Sequence, residues 1–183
     1  MEDTIDMLLR FQNLTIRNAT IDDAEQLAAW WNDGKIMAHA GFPNGTGETA
    51  EEIASSLKRN AGDSGRLLIL ERDEVPIGEM DYHKVGEGVA EIGIKICDFS
   101  LHDKGLGKIF LSMLIDSLFT KLQYKKIILD TNLKNQRAQH VYEQLGFRKV
   151  QVRENSWKDQ LGELQSSVDY ELVPDSFVNY AKK

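Results

Sequence analysis

The sequence holds a single cysteine, Cys97, so no intramolecular disulfide can form and a reducing cytoplasm is the expected setting. Cys97 lies in an apolar run, which marks it as a buried structural thiol rather than a nucleophile. No apolar run approaches the ~18–20 residues that cross a bilayer. The most apolar-rich stretch, Ile109 to Leu122, is broken by Ser112, Asp116, Ser117, Thr120 and Lys121. The chain opens Met1-Glu2-Asp3, without the basic-then-apolar pattern of a secretory signal. Basic charge is also in deficit: 22 Lys and Arg stand against 29 Asp and Glu, for a formal net charge of −7. That balance argues against nucleic-acid binding, which needs a basic footprint. It suits a cationic substrate, and it also serves plain solubility. No internal repeat, low-complexity segment or second domain is visible, so residues 1–183 are expected to form one domain.

What is present is an ordered series of short periodic segments. Leu14 to Arg17 reads as a strand. Thr20 followed by Asp23 is close to a capping box and opens a helix that carries Leu27, Ala28 and Trp31 on one side and ends near Asp33-Gly34. The segment Gly41 to Gly47, with Pro43, marks a loop, and Thr49 with Glu52 opens a second helix bearing Ile53, Ala54 and Leu57. Arg66–Arg72, Pro76–Lys84 and Ala90–Cys97 follow as a meander of antiparallel strands. The period then changes: Leu111, Leu114, Ile115, Leu118 and Leu122 place an amphipathic helix over Gly107 to about Leu122. Lys126–Asp130 reads as a buried strand. Asn135 caps a helix with Ala138, Val141, Tyr142 and Leu145 facing inward, and Gly146 ends it. Phe147–Val152 and Ser167–Val173 close the chain as strands, with Asn155 to Ser166 expected as a long hairpin loop around Gly162. The order βααβββαβαββ is α+β, a mostly antiparallel sheet with one strand–helix–strand unit.

The stretch His102-Asp103-Lys104-Gly105-Leu106-Gly107-Lys108 lies between a strand and the long helix. Its glycines allow positive φ and close backbone approach. The unpaired N–H groups of the helix start, with the helix dipole behind them, suit an anion such as a pyrophosphate. A simple strand-to-helix turn would account for two glycines as well. The alternatives of this type fail on the residues: a dinucleotide fingerprint needs glycine where Phe110 stands, and a P-loop needs glycine at His102 and Ser or Thr at Ile109.

At this loop the chain resembles the GNAT superfamily of N-acetyltransferases, whose signature is Gln or Arg, two residues, Gly, one residue, then Gly or Ala. Here His102 replaces the usual Gln or Arg. A second segment, Asn132 to Phe147 with its ending Tyr142-Glu143-Gln144-Leu145-Gly146-Phe147, resembles the family's strand-then-helix motif. The likeness runs from about Leu14 to Val173. It implies a GNAT-like fold, a mostly antiparallel sheet with one parallel strand pair, flanked by about four helices. It also implies acetyl-coenzyme A as co-substrate and an amine as acceptor. Within the superfamily the chain looks most like ribosomal-protein alanine and polyamine N-acetyltransferases, on Glu143–Phe147 and on Asp169-Tyr170-Glu171-Leu172; aminoglycoside N-acetyltransferases share the Asn-x-x-Ala helix start.

By that resemblance the strand before the loop splays from its parallel neighbour and leaves a gap for pantetheine. Backbone groups around Lys95, Ile96 and Cys97 would hold it, with an N–H near Lys95 as a small oxyanion hole. His102, Asp103, Lys104, Gly105, Leu106, Gly107 and Lys108 would surround the phosphates, and Asn135 would contact the cofactor. Lys104, Lys108, Lys134 and Arg137 are candidates for the adenosine end. Tyr142 would be the acid for the departing thiolate, a core tyrosine being the plainer account of its spacing. Glu91 would be the base if its apolar strand neighbours desolvate it; strand alternation leaves a wet face open instead. Glu79, Asp81 and His83 share one strand face, as an acidic acceptor pocket or a solvated surface. Trp31 is expected in the core and Trp30 at the acceptor site, beside a mobile glycine-rich loop. His39 and His140 lack metal-ligand spacing, so no metal is assigned. The expected partners are a polyamine, aminoglycoside or protein N-terminus, with no nucleic acid and no membrane, in a monomer or homodimer. A coenzyme A-binding sensor without turnover is the reading from another class.

Overall fold

The computed structural model describes residues 7–59 and 65–182. Its strands are β1 (Leu8–Phe11), β2 (Leu14–Asn18), β3 (Gly65–Arg72), β4 (Val75–Gly86), β5 (Val89–Ile96), β6 (Lys126–Asn132), β7 (Arg148–Lys158) and β8 (Leu164–Leu172). Its helices are α1 (Ala24–Trp31), α2 (Gly34–Met37), α3 (Ala50–Arg59), α4 (Leu106–Thr120) and α5 (Gln136–Gln144). The strands form one sheet in the order β1-β2-β3-β4-β5-β6-β8-β7. Its neighbours run antiparallel except β5 and β6, which pair in parallel over Val89–Glu91 alone. Helix α4 is the crossover that a parallel pair requires.

Strand alternation divides the apolar residues between two layers. Leu68 and Leu70 of β3 face α4 and join Phe110, Leu111, Leu114, Ile115 and Leu118 with Ile92, Ile127 and Leu129 in the larger core. Ile69, between them, faces the other way. It packs under α1 and α3 against Leu27, Trp30 and Ile53 in a smaller second cluster. Helix starts are where the sequence places them. The Thr20–Asp23 capping box forms, with Asp23 also gripped by Arg17 at 2.8 and 2.9 Å. Thr49 and Glu52 exchange reciprocal bonds of 3.2 Å ahead of α3.

The structure differs from the sequence reading at three places. β1 makes a short outer hairpin with β2, and α2 is a four-residue helix after the Asp33 cap. The expected Asn155–Ser166 loop is instead mostly strand: β7 runs to Lys158, β8 begins at Leu164, and a turn between them is held by Asp159 Oδ1, which accepts from the Leu161 and Glu163 N–H groups. β7 is an outer strand exposed along nearly all its length, so it carries no apolar alternation to read. A bulge around Asn155, at φ 48°, further breaks its register.

Candidate active site

The loop between β5 and α4 is built by local bonds. Asp98 accepts from the Ser100 N–H at 3.0 Å and starts a short turn, and Asp103 takes a left-handed φ of 62°. Gly105 then opens α4 at φ 74°, a conformation that favours glycine, and no side chain caps the helix there. Among the described residues, a Cβ built at Gly105 or Gly107 meets no atom within 4 Å apart from its chain neighbours and the helix's own backbone. The helix start therefore faces open space with backbone donors and no competing side chain, which is what an anionic group needs. Among the nearby cations, Lys108 is turned away: its ammonium sits 4.2 Å over the Tyr180 ring. Arg137, at the start of α5, is turned toward the loop and pairs with Asp103 at 3.0 Å.

Beyond Glu91, β5 parts from β6. Cys97 N–H donates to the Ile77 carbonyl at 2.8 Å, and the β4–β5 register pairs Lys95 with Glu79 and Ile96 with Gly78. Hydrogen-bonded and non-bonded pairs alternate along an antiparallel ladder. The odd-numbered residues, Lys95 and Cys97 among them, therefore bond to β4, whereas Ile94 and Ile96 aim their backbone groups into the gap. Lys95 itself is committed to the sheet, so of the backbone groups near it those of Ile94 and Ile96 are the ones that face the gap. The Ile96 carbonyl is met by His102 Nε2 at 2.7 Å. Asn135 caps α5 through Oδ1, which accepts from the Ala138 N–H at 3.2 Å.

The opposite face of β4 and β5 carries charge. Glu79 is buried, accepting from Trp31 Nε1 at 2.7 Å and pairing with Lys95 at 3.4 Å. Burial pushes its carboxyl up despite Lys95. Asp81 lies over Gly93, where a Cβ would come within 2.6 Å of its carboxylate, and desolvation raises it too. Glu91 pairs across the ladder with His83 and is half-buried; desolvation lifts its carboxyl first, with Asp130, Asp81 and Asp169 adding to the lift. The apolar neighbours and the acidic strip both act on Glu91. Cys97 is buried and its thiol is pushed up to about 12, first by burial and then by Glu79, so it stays protonated.

Tyr142 lies within the larger core, edge-on to Phe147 at 5.8 Å and Tyr170 at 5.7 Å. Burial drives its phenol well above the ordinary tyrosine value, holding the proton on oxygen. Trp30, expected at the acceptor site, is a core residue, and Trp31, expected in the core, is only partly buried against the same cluster. Trp30 is buried beside Leu27, while Trp31 reaches Glu79 at the edge of the acidic strip. Three and four residues from Leu27 are equally good helical spacings, so periodicity alone could not separate them. The glycine-rich loop after them is tied down rather than loose. Gln160, at the tip of the β7–β8 hairpin, donates to the Gly41 and Gly45 carbonyls and accepts from the Asn44 N–H, at 2.8 to 2.9 Å. No local pattern signals a bond between residues so far apart in the chain.

A family model described as an acetyltransferase (GNAT) domain matches residues 13–148. No curated protein sequence gives a match. Among solved structures, the fold is shared with a spermidine N-acetyltransferase from Vibrio cholerae in complex with coenzyme A and spermine, at TM-score 0.81 and 22% identity, over 91% of this chain and 99% of that one. It is shared with a ribosomal L7/L12 alpha-N-protein acetyltransferase in complex with coenzyme A, at TM-score 0.81 and 14% identity, over 93% and 99%. A ribosomal-protein-S5-alanine acetyltransferase from Vibrio fischeri matches at TM-score 0.76 and 17% identity, over 94% and 100%.

Proposed function

The chain belongs to the GNAT acetyltransferase family, and on that premise we propose that it moves an acetyl group from acetyl-coenzyme A to a primary amine of a cationic acceptor by direct attack. The observation that carries this reading is the uncapped start of α4, open in front of Gly105 and Gly107, beside the unpaired edge of β5. Acetyl-coenzyme A supplies an activated acyl carbon. The first-turn amides of α4 bind its pyrophosphate, and the gap-facing backbone of Ile94 together with the Ile96 N–H, the Ile96 carbonyl being held by His102, orients the pantetheine arm. An N–H of that pair, rather than of Lys95, stabilises negative charge on the acyl oxygen.

Glu91 takes the proton from the acceptor ammonium, a task suited to a carboxylate whose proton affinity has been raised. Tyr142 keeps its own proton under burial and delivers it to the departing sulfur. The strip of Glu79, Asp81 and Glu91 draws in a positively charged acceptor, and Trp31 fixes Glu79 at its end. The spermine bound in one fold relative and the ribosomal protein in the name of another are consistent with that charge. Release of free thiol from acetyl-coenzyme A is the test, run with polyamines, aminoglycosides and a peptide with a free N-terminus. Turnover with at least one of these is expected. Thiol release no faster than background with all of them, while coenzyme A still binds, would make the chain a sensor instead.

A further inference from the structure

His102 bridges two elements that form opposite sides of the cofactor gap. Its Nε2 lies 2.7 Å from the Ile96 carbonyl on β5, and its Nδ1 lies 2.6 Å from an Arg137 guanidinium nitrogen on α5. These partners define the ring's protonation. A carbonyl oxygen only accepts, so Nε2 carries the proton; a guanidinium only donates, so Nδ1 must be bare. The Phe99 ring, 4.7 Å away and tilted, packs against the imidazole.

We propose that His102 is a positioning residue, a neutral crossbar that ties the open edge of β5 to the start of α5, and that coenzyme A affinity falls when the ring takes a second proton. The inference rests on the cofactor site described above. A proton on Nδ1 would face an Arg137 N–H across 2.6 Å, donor against donor and cation against cation. The bond to Ile96 survives, since Nε2 still donates, but the tie to α5 breaks. The charged groups facing the ring are Arg137 from α5, Asp103 beside it in the loop, and Asp98 from the turn after β5. Asp103 is already paired with Arg137 at 3.0 Å, so part of its charge is spent there. Imidazole is the side chain whose charge commonly changes within a physiological pH range. The crossbar therefore links cofactor binding to pH through a residue that need not touch the cofactor.

Glutamine supplies the same pair of functions, an N–H donor and an oxygen acceptor, without a titrating proton. The test is calorimetric titration of coenzyme A into the full chain and into His102→Gln, at about pH 8 and about pH 6. The readout is the ratio of the affinities at the two pH values within each protein. At the lower pH the wild type should weaken by about threefold to tenfold more than the variant, the span of one lost hydrogen bond. Titration of the ligand's phosphate and of the other histidines enters both proteins alike and cancels in the comparison. Equal pH dependence in both proteins, or loss of binding in His102→Gln at the higher pH, would overturn the proposal while leaving the cofactor site standing. Absence of binding heat in the wild type at either pH would sink that site and the crossbar together. Nitrogen-15 spectra of the ring give a readout independent of ligand: the Nε2–H tautomer is expected, and the Nδ1–H tautomer would contradict the geometry.

Discussion

In the proposed reaction Glu91 and Tyr142 divide the proton traffic because their surroundings differ. Glu91 stands in a partly desolvated acidic strip, so it loses its proton later than the ordinary carboxyl value of 4.5. A base works only when deprotonated, so kcat/KM should fall as pH drops through that raised value. The acid limb should therefore lie above 4.5. Glu91→Gln should remove that limb and lower kcat/KM by about 100-fold, read from a pH–rate profile. Tyr142→Phe keeps the ring contacts to Phe147 and Tyr170 and removes only the hydroxyl. It should cut kcat by about tenfold or more while coenzyme A affinity and thermal midpoint stay near wild type. An unchanged kcat would take the phenol out of the mechanism. The sequence singles out both as candidates, by family motif and strand position. The bond of Trp31 to Glu79 and the side of β5 from which each backbone group leaves are not legible in it. One helical step exchanges Trp31 with Trp30, and one step along β5 exchanges Lys95 with Ile94 and Ile96. Motif position fixes a neighbourhood to within a residue, whereas chemistry depends on which side of the backbone each group leaves.

At the scale of elements, a stability need of α4 conflicts at Gly107 with the binding role proposed for it. Glycine inside a helix costs about 0.5–1 kcal/mol relative to alanine. Among the described residues, a Cβ at position 107 would meet no atom outside its own helix, so Gly107→Ala should raise the stability of the free protein by that amount in a thermal or denaturant melt. The same methyl would fill the space in front of the helix amides, so affinity for coenzyme A should fall. A variant that gained stability and kept full affinity would show that the space serves no ligand. The helices were easy to read because their ends are written in side chains: Thr20, Thr49 and Asn135 start them, and Gly146 at φ 99° ends one. The outer strands were not. β1 is four residues with alternate positions only half covered, and β7 is exposed on both faces, so neither produces the apolar alternation that announces a buried strand. The short α2 lies below the length at which helical periodicity can show.

For the molecule as a whole, the excess of acid is not spread evenly. Arg153 pairs with Asp130 and Asp169 at 3.1 and 2.9 Å, so the Asp81–Glu91 end of the strip is the part proposed to act on an acceptor. With a net charge of −7 behind it, this strip should speed the approach of multivalent cations. For a polyamine acceptor, kcat/KM should fall several-fold between low and physiological salt, as charges more than about 8 Å apart become screened. A monoamine should show a smaller change, and equal salt dependence would argue against steering. The fold class, the α4 crossover and the single parallel pair follow from the order of periodic segments. The bond of Gln160 to the glycine loop and the bridge of His102 to Arg137 do not, because each joins residues distant in sequence through side chains with no periodic signature. The central claim is that backbone amides where α4 begins, together with the free edge of β5, clasp coenzyme A. An amide-resolved NMR titration with coenzyme A tests it most directly. The account predicts that the largest shifts fall on Gly105 to Lys108 and on Ile94 to Ile96. Shifts centred elsewhere, or none at saturating ligand, would contradict it.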